Sequence, residues 1–179
     1  MNRTNIILAS LALFALAIAS AVADIPDASG NCAGDLVETT PSSEFRVVGD
    51  GSIVLHERTG LEWRRCSEGM SWNGSGCDGT ADTHTWHDAL QVAAAAGDGW
   101  RLPNIEELNS IVERCRIDPA INAQVFPGTL SNGDLLFWSA SPYSALSSRP
   151  WHADFKYGSI GFDWGKSTSL VVRLVRDGQ

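Results

Sequence analysis

Two stretches of the chain carry apolar residues at helical spacing. Trp86, Ala89, Leu90 and Ala93 form one stripe, and Ile105, Leu108, Ile111, Val112 and Cys115 form another, which leaves Glu106, Asn109, Glu113 and Arg114 for its outward face. Thr85, with Asp88 three residues on, is a start signal for the first helix, and Gly97 stops it. Asn104 and Glu107 have capping-box spacing at the start of the second, which Asp118-Pro119 closes. Between the helices runs Trp100-Arg101-Leu102-Pro103-Asn104. Its proline removes a backbone donor and its asparagine caps the next turn, so this junction takes the chain from extended to helical and fixes the angle between the helices.

The other patterned segments read as strands. Phe45 to Val48 and Ile53 to His56 flank Gly49-Asp50-Gly51, and Thr59-Gly60 turns the chain into Leu61-Glu62-Trp63, which predicts a small antiparallel unit. From Ser67 to Thr83 the chain is polar and glycine-rich and is expected to be an irregular loop. Trp151, Ala153 and Phe155 alternate with His152, Asp154 and Lys156, so the second set is expected on the opposite face. Ile160, Phe162 and Trp164 repeat the pattern beyond a Tyr157-Gly158 turn, and Leu170 to Arg176 is expected to be one final strand.

The first 23 residues have the layout of an export signal: Arg3, an uncharged apolar run from Ile6 to Ile18, and Ala21-Val22-Ala23 at the cleavage positions. That run falls short of the roughly 20 residues of a membrane-spanning helix, so no stable membrane anchor is expected after signal cleavage. Residues 24–43 read as a polar N-terminal arm, and residues 44–179 as one domain. With 13 basic against 21 acidic residues the formal charge is −8, which repels nucleic acid and excludes it as a partner.

Four cysteines in an exported chain imply disulfides. Three pairings are formally possible. Cys66 and Cys77 flank the glycine loop and are the natural local pair, leaving Cys32 to tie the arm to Cys115. No Cys-x-x-Cys or close Cys/His grouping suggests zinc.

A set of motifs spans nearly all of the chain from Phe45 onward: Asp50-Gly51, Thr59-Gly60-Leu61-x-Trp63, Cys66 and Cys77, Trp86-x-x-Ala89-Leu90, Trp100-Arg101-Leu102-Pro103-Asn104-x-x-Glu107-Leu108, Phe126-Pro127, Trp138-Ser139 and Val172-Arg173-Leu174-Val175-Arg176. Together they resemble the Lcl C-terminal domain family of exported bacterial modules. The resemblance implies an α+β, C-type-lectin-like fold: two helices packed on small twisted antiparallel sheets, with the first and last strands adjacent. The best-studied relatives end collagen-like adhesins and bind sulfated glycosaminoglycans. This chain has no Gly-x-y tract and an acidic charge, so what carries over is a binding module rather than a sulfated ligand.

Trp63, Trp86, Trp100 and Trp138 sit at periodic or motif positions and are expected to pack inside. Arg101 lies between apolar neighbours and is expected to be satisfied by a carboxylate such as Glu107, because a buried unpaired charge is costly. His84 and His87 are expected to be solvated rather than metal-bound. Asp134, Asp154 and Asp163 lie where lectin-type folds often hold calcium, but the Glu-Pro-Asn, Gln-Pro-Asp and Trp-Asn-Asp signatures are absent, so no cofactor is expected.

No Gly-x-Ser-x-Gly elbow is present, and no cysteine follows Cys115, which removes the redox pair of the formylglycine-generating oxidases that share the lectin-like scaffold. The remaining candidates are Tyr143, Trp151, His152, Asp154, Tyr157, Asp163 and Trp164, since rings beside carboxylates suit a saccharide platform. The competing assignment puts Trp151 and Trp164 on the inner faces of a hairpin. The expected role is a secreted or periplasmic, non-catalytic recognition module for a glycan or other surface polymer. The alternatives are a structural or protein-interaction module of the cell envelope and, behind it, an oxidase-like enzyme. The oligomeric state has no signature in the sequence.

Overall fold

The computed structural model describes residues 32–33, 35–129 and 135–179; the export signal, the first part of the arm and Asp134 lie outside the described residues. The chain is α+β, mostly sheet with two short helices. The strands β1 (Phe45–Val48), β2 (Ile53–His56) and β3 (Leu61–Arg64) form the expected antiparallel meander. Gly51 lies in its first turn at φ +92°, a conformation that a side chain disfavours, and a Cβ there would meet the Trp72 ring at 3.4 Å.

The glycine-rich segment is more regular than expected. It holds β4 (Ser71–Trp72), paired with β5 (Cys77–Asp78), and it ends in β6 (Thr83–His84). The Cys66–Cys77 disulfide closes this hairpin, and Cys32–Cys115 ties down the arm, as the spacing suggested.

Helix α1 (Trp86–Ala95) begins where Thr85 accepts a hydrogen bond from the Asp88 amide. Helix α2 (Ile105–Ser110) has a complete capping box. The Glu107 amide donates to Asn104 Oδ1 at 2.9 Å, and the Asn104 amide donates to Glu107 Oε2 at 2.8 Å. The Arg101 guanidinium spans both oxygens of Glu107 at 2.7 Å each, so one carboxylate serves the cap and the ion pair. Replacing Asn104 by alanine is expected to cost about 1 kcal/mol in urea unfolding, because two first-turn amides lose their side-chain acceptors or their geometry.

Helix α2 stops at Ser110, earlier than the apolar stripe and the Asp118-Pro119 stop implied. Ile111, Val112 and Cys115 are buried all the same, in an irregular segment. Glu113, expected outside, is fully buried. Its carboxylate receives the amides of Thr39, Thr40 and Cys115 and the hydroxyls of Thr39 and Thr40, all between 2.9 and 3.2 Å. Outside the helix its direction is no longer set by helical period, and the arm brings in the donors it needs.

The remaining strands are β7 (Leu136–Pro142), β8 (Pro150–Asp154), β9 (Ser159–Gly161), β10 (Leu170–Val171) and β11 (Val175–Asp177). Two larger sheets result, ordered β1-β2-β3-β11 and β6-β10-β7-β8-β9. Three expectations are corrected here. The first and last strands are not adjacent, because β2 and β3 occupy the space between them and β11 pairs with β3. The sheets are not purely antiparallel, since β10 runs parallel to β7. The segment Leu170 to Arg176 is not one strand: it leaves the five-stranded sheet after Val171 and enters the four-stranded one at Val175.

That crossing lies between two cores. Leu170, Val172 and Leu174 pack with Ala89, Ala93, Trp100, Leu102 and Trp138, whereas Val171 and Val175 join Trp63, Leu108, Phe137 and Phe155. Among these apolar residues Arg173 is fully buried. It donates to the carbonyls of Arg64 and Arg65 and to the hydroxyls of Ser67 and Thr129, and its guanidinium lies over the rings of Phe126 and Phe137. The Arg101 backbone exchanges both hydrogen bonds with Val175 at 2.9 and 3.0 Å, so the junction before α2 anchors the end of the crossing.

Candidate functional site

Strands β7, β8 and β9 lie side by side, and their ends bring three rings together. Tyr143 follows β7, Trp151 is the second residue of β8, and Phe162 follows β9. The Tyr143 and Phe162 rings are stacked with centroids 4.1 Å apart, and Trp151 meets them edge-on at 5.5 and 5.1 Å. All three are half-buried, so each ring is packed on one side and open on another. The Ser139 hydroxyl donates to the Trp151 carbonyl at 2.8 Å, which fixes the strand carrying the central ring.

The rim is polar and exposed. Residues 144–149 are exposed, and Arg149 closes their loop by donating to the Asp163 carbonyl at 2.8 Å. That contact leaves the exposed Asp163 carboxylate beside the patch, one residue beyond Phe162. Trp164 is 43% exposed on the same segment. Rings of fixed mutual geometry with a carboxylate acceptor at their edge can stack on the C–H face of a sugar and accept from its hydroxyls.

The other sequence candidates fall elsewhere. Asp154 accepts from the Lys156 amide at 2.7 Å and shapes the turn between β8 and β9. Tyr157 is 61% exposed in that turn, with Lys156 Nζ 5.4 Å from its ring centre. His152 is corrected from an outward residue to a buried one, 3% exposed. It lies edge-on to Trp138 at 6.4 Å, and a Cβ on Gly161 would come 3.0 Å from its Cε1, so the glycine makes room for the imidazole. Burial lowers its proton affinity, against the opposing charges of Asp163 and Asp154. A neutral, covered imidazole supports β9 from beneath.

Phe162 was missed as a member of the site. The signal was present: in the β8–β9 register His152 faces Gly161, which sets Trp151 opposite Phe162, but register is not visible in one sequence. Trp72 was likewise unweighed. With Trp100 it walls a groove of about 340 Å³ that also contains Arg64 and Glu68, an ion pair at 2.9 Å. Arg64 covers Trp100 at 5.0 Å and Arg65 covers Trp72 at 4.3 Å, so guanidinium groups already occupy faces of these indoles.

Trp63 and Trp138 are fully buried, Trp100 nearly so, and Trp86 is half-buried with its indole N–H donating to the Ser139 carbonyl. A hydroxyl–imidazole–carboxylate chain joins Thr59, His56 and Glu44 at 3.0 and 3.4 Å. His56 is fully buried and stacked on Phe45 at 4.6 Å, and the chain ties the turn at Thr59 to the strands it follows. Among the described residues no three or more His, Cys, Asp or Glu side chains gather as metal ligands, and no helix is long and apolar enough to cross a membrane.

Comparison with curated proteins returns no match. The family comparison does return one: residues 52–176, from the end of the first turn through β11, match the Lcl C-terminal domain, and the chain therefore belongs to that family.

Proposed function

We propose that the chain is an exported, non-catalytic recognition module of C-type-lectin-like architecture that binds a glycan or similar surface polymer on the Tyr143–Trp151–Phe162 patch. The observation that carries this reading is the ring cluster itself, half-open and set in stacked and edge-on geometry at the ends of three neighbouring strands. Two disulfides are consistent with an oxidising compartment. All four cysteines are paired in these bridges and none is left as a free thiol, which favours the recognition reading over the oxidase-like one.

Glycan-array screening of the disulfide-bonded chain tests the proposal. Tyr143→Ala and Phe162→Ala are each expected to weaken the selected ligand by about tenfold or more, as ring truncation at an aromatic anchor does. Binding is expected to survive EDTA, since the patch offers one carboxylate, Asp163, rather than several converging ones. Retention of full affinity in the double variant would remove the platform.

A second reading rests on one feature. Tyr157 and Ile160 on the β8–β9 hairpin and Trp164 just beyond it are exposed large apolar residues, which suits a protein partner of the cell envelope. Capture of a defined envelope protein, lost in Trp164→Ala and indifferent to saccharides, would favour it.

A further inference from the structure

A second cleft, of about 370 Å³, opens beneath the glycine-rich hairpin; it shares β7 with the aromatic patch but meets that strand near Phe137, at the end away from Tyr143. Its walls include Met70, Ala81, Leu135, Phe137 and Val171, and none of the described residues that line it is charged. Two hydroxyls, Ser67 and Thr129, also line it, and both are themselves buried. Behind them lies Arg173, whose Nη2 donates to Thr129 Oγ1 at 2.6 Å and to Ser67 Oγ at 3.3 Å.

This arrangement has a chemical polarity. A hydroxyl has one proton, and an oxygen that accepts from a guanidinium must point that proton elsewhere. Among the described residues neither hydroxyl has an acceptor of its own. Arg173 has no carboxylate partner among them, and its Nε is unpartnered. A buried positive charge is therefore relayed through two outward-donating hydroxyls to the floor of an apolar cleft. Burial lowers the guanidinium to about 9, which leaves it cationic at neutral pH.

We infer that this cleft is a binding site for a small monocarboxylate with an apolar body, its carboxylate accepting from Ser67 and Thr129 and its hydrocarbon part lying against Met70, Leu135 and Phe137. Arg173 is a positioning residue that acts through the hydroxyls. The overall charge of −8 repels such a ligand at long range, so moderate salt is expected to favour binding rather than weaken it.

Calorimetric titration of the disulfide-bonded chain with octanoate, and with octanamide as the uncharged counterpart, tests the site. Octanoate is expected to bind saturably and at least about tenfold more tightly than the amide, and Thr129→Val is expected to diminish that preference by weakening the acid more than the amide. Where Thr129→Val does not fold by near-ultraviolet circular dichroism, Ser67→Ala is read in the same way. Equal affinity for acid and amide, absence of saturable octanoate binding, or an undiminished preference in the folded variant would each overturn the assignment. None of these results bears on the aromatic patch.

Discussion

Replacing Arg173 by methionine is expected to lower the free energy of unfolding by about 3 kcal/mol in urea, with an unchanged slope against denaturant. Arg173 donates to two carbonyls at the end of β3, to the hydroxyl of Ser67 and to that of Thr129, and so joins three segments distant in sequence. Methionine has similar length and relieves the desolvation of a buried cation, which offsets part of the loss. The four acceptors nevertheless lose their donor, and each buried group left without one costs about 1 to 3 kcal/mol. A change under about 1 kcal/mol would mean that removing the buried charge compensates almost fully, as replacement of some buried ion pairs does.

Glu113→Gln is expected to have an effect of similar size and to alter the acid profile. Burial raises the Glu113 carboxyl, but hydrogen bonds from the amides of Thr39, Cys115 and Thr40 and from the Thr40 hydroxyl outweigh it and bring the group from 4.5 to about 2. A carboxyl whose folded value lies below its unfolded value contributes stability that is complete above pH 4.5 and is lost as the pH falls through 2. The separation corresponds to about 3 kcal/mol. Unfolding measured from pH 7 to pH 2 is therefore expected to show a steeper acid loss for the native chain than for Glu113→Gln, which begins less stable. Parallel curves would show that the carboxylate is not the acid-sensitive latch of the arm.

These two residues also mark where the sequence ceased to be legible. The caps of α1 and α2 were readable because donor and acceptor lie three positions apart: Thr85 with Asp88, and Asn104 with Glu107. The Arg101–Glu107 pair was readable for the same local reason. Glu113 meets a segment more than seventy positions away, and Arg173 one more than a hundred away, so no local pattern announces either. At Leu170 to Arg176 the alternation of period two is genuine, but the chain changes sheets without a glycine or proline to mark the change, because apolar residues suit both cores.

The ring cluster was legible by chemistry and not by register. Tyr143 and Trp151 were recognisable as rings near carboxylates, and they do meet. Phe162 belonged with them through strand pairing alone, whereas His152, which alternation placed outside, is enclosed because Gly161 leaves a space that its ring fills. Sheet order was hidden in a similar way: three short strands and their turns predict a meander, but nothing local says that the last strand joins β3 rather than β1.

The central claim is that recognition occurs on the ring cluster at the ends of β7, β8 and β9. Amide correlation spectra of the isotopically labelled chain, titrated with the glycan selected on the array, test it most directly. The account predicts saturable shifts concentrated in residues 139–152 and 160–165, with the meander of β1 to β3 unaffected. Shifts centred on the Trp72–Trp100 groove or on the N-terminal arm, with Tyr143, Trp151 and Phe162 silent, would contradict it.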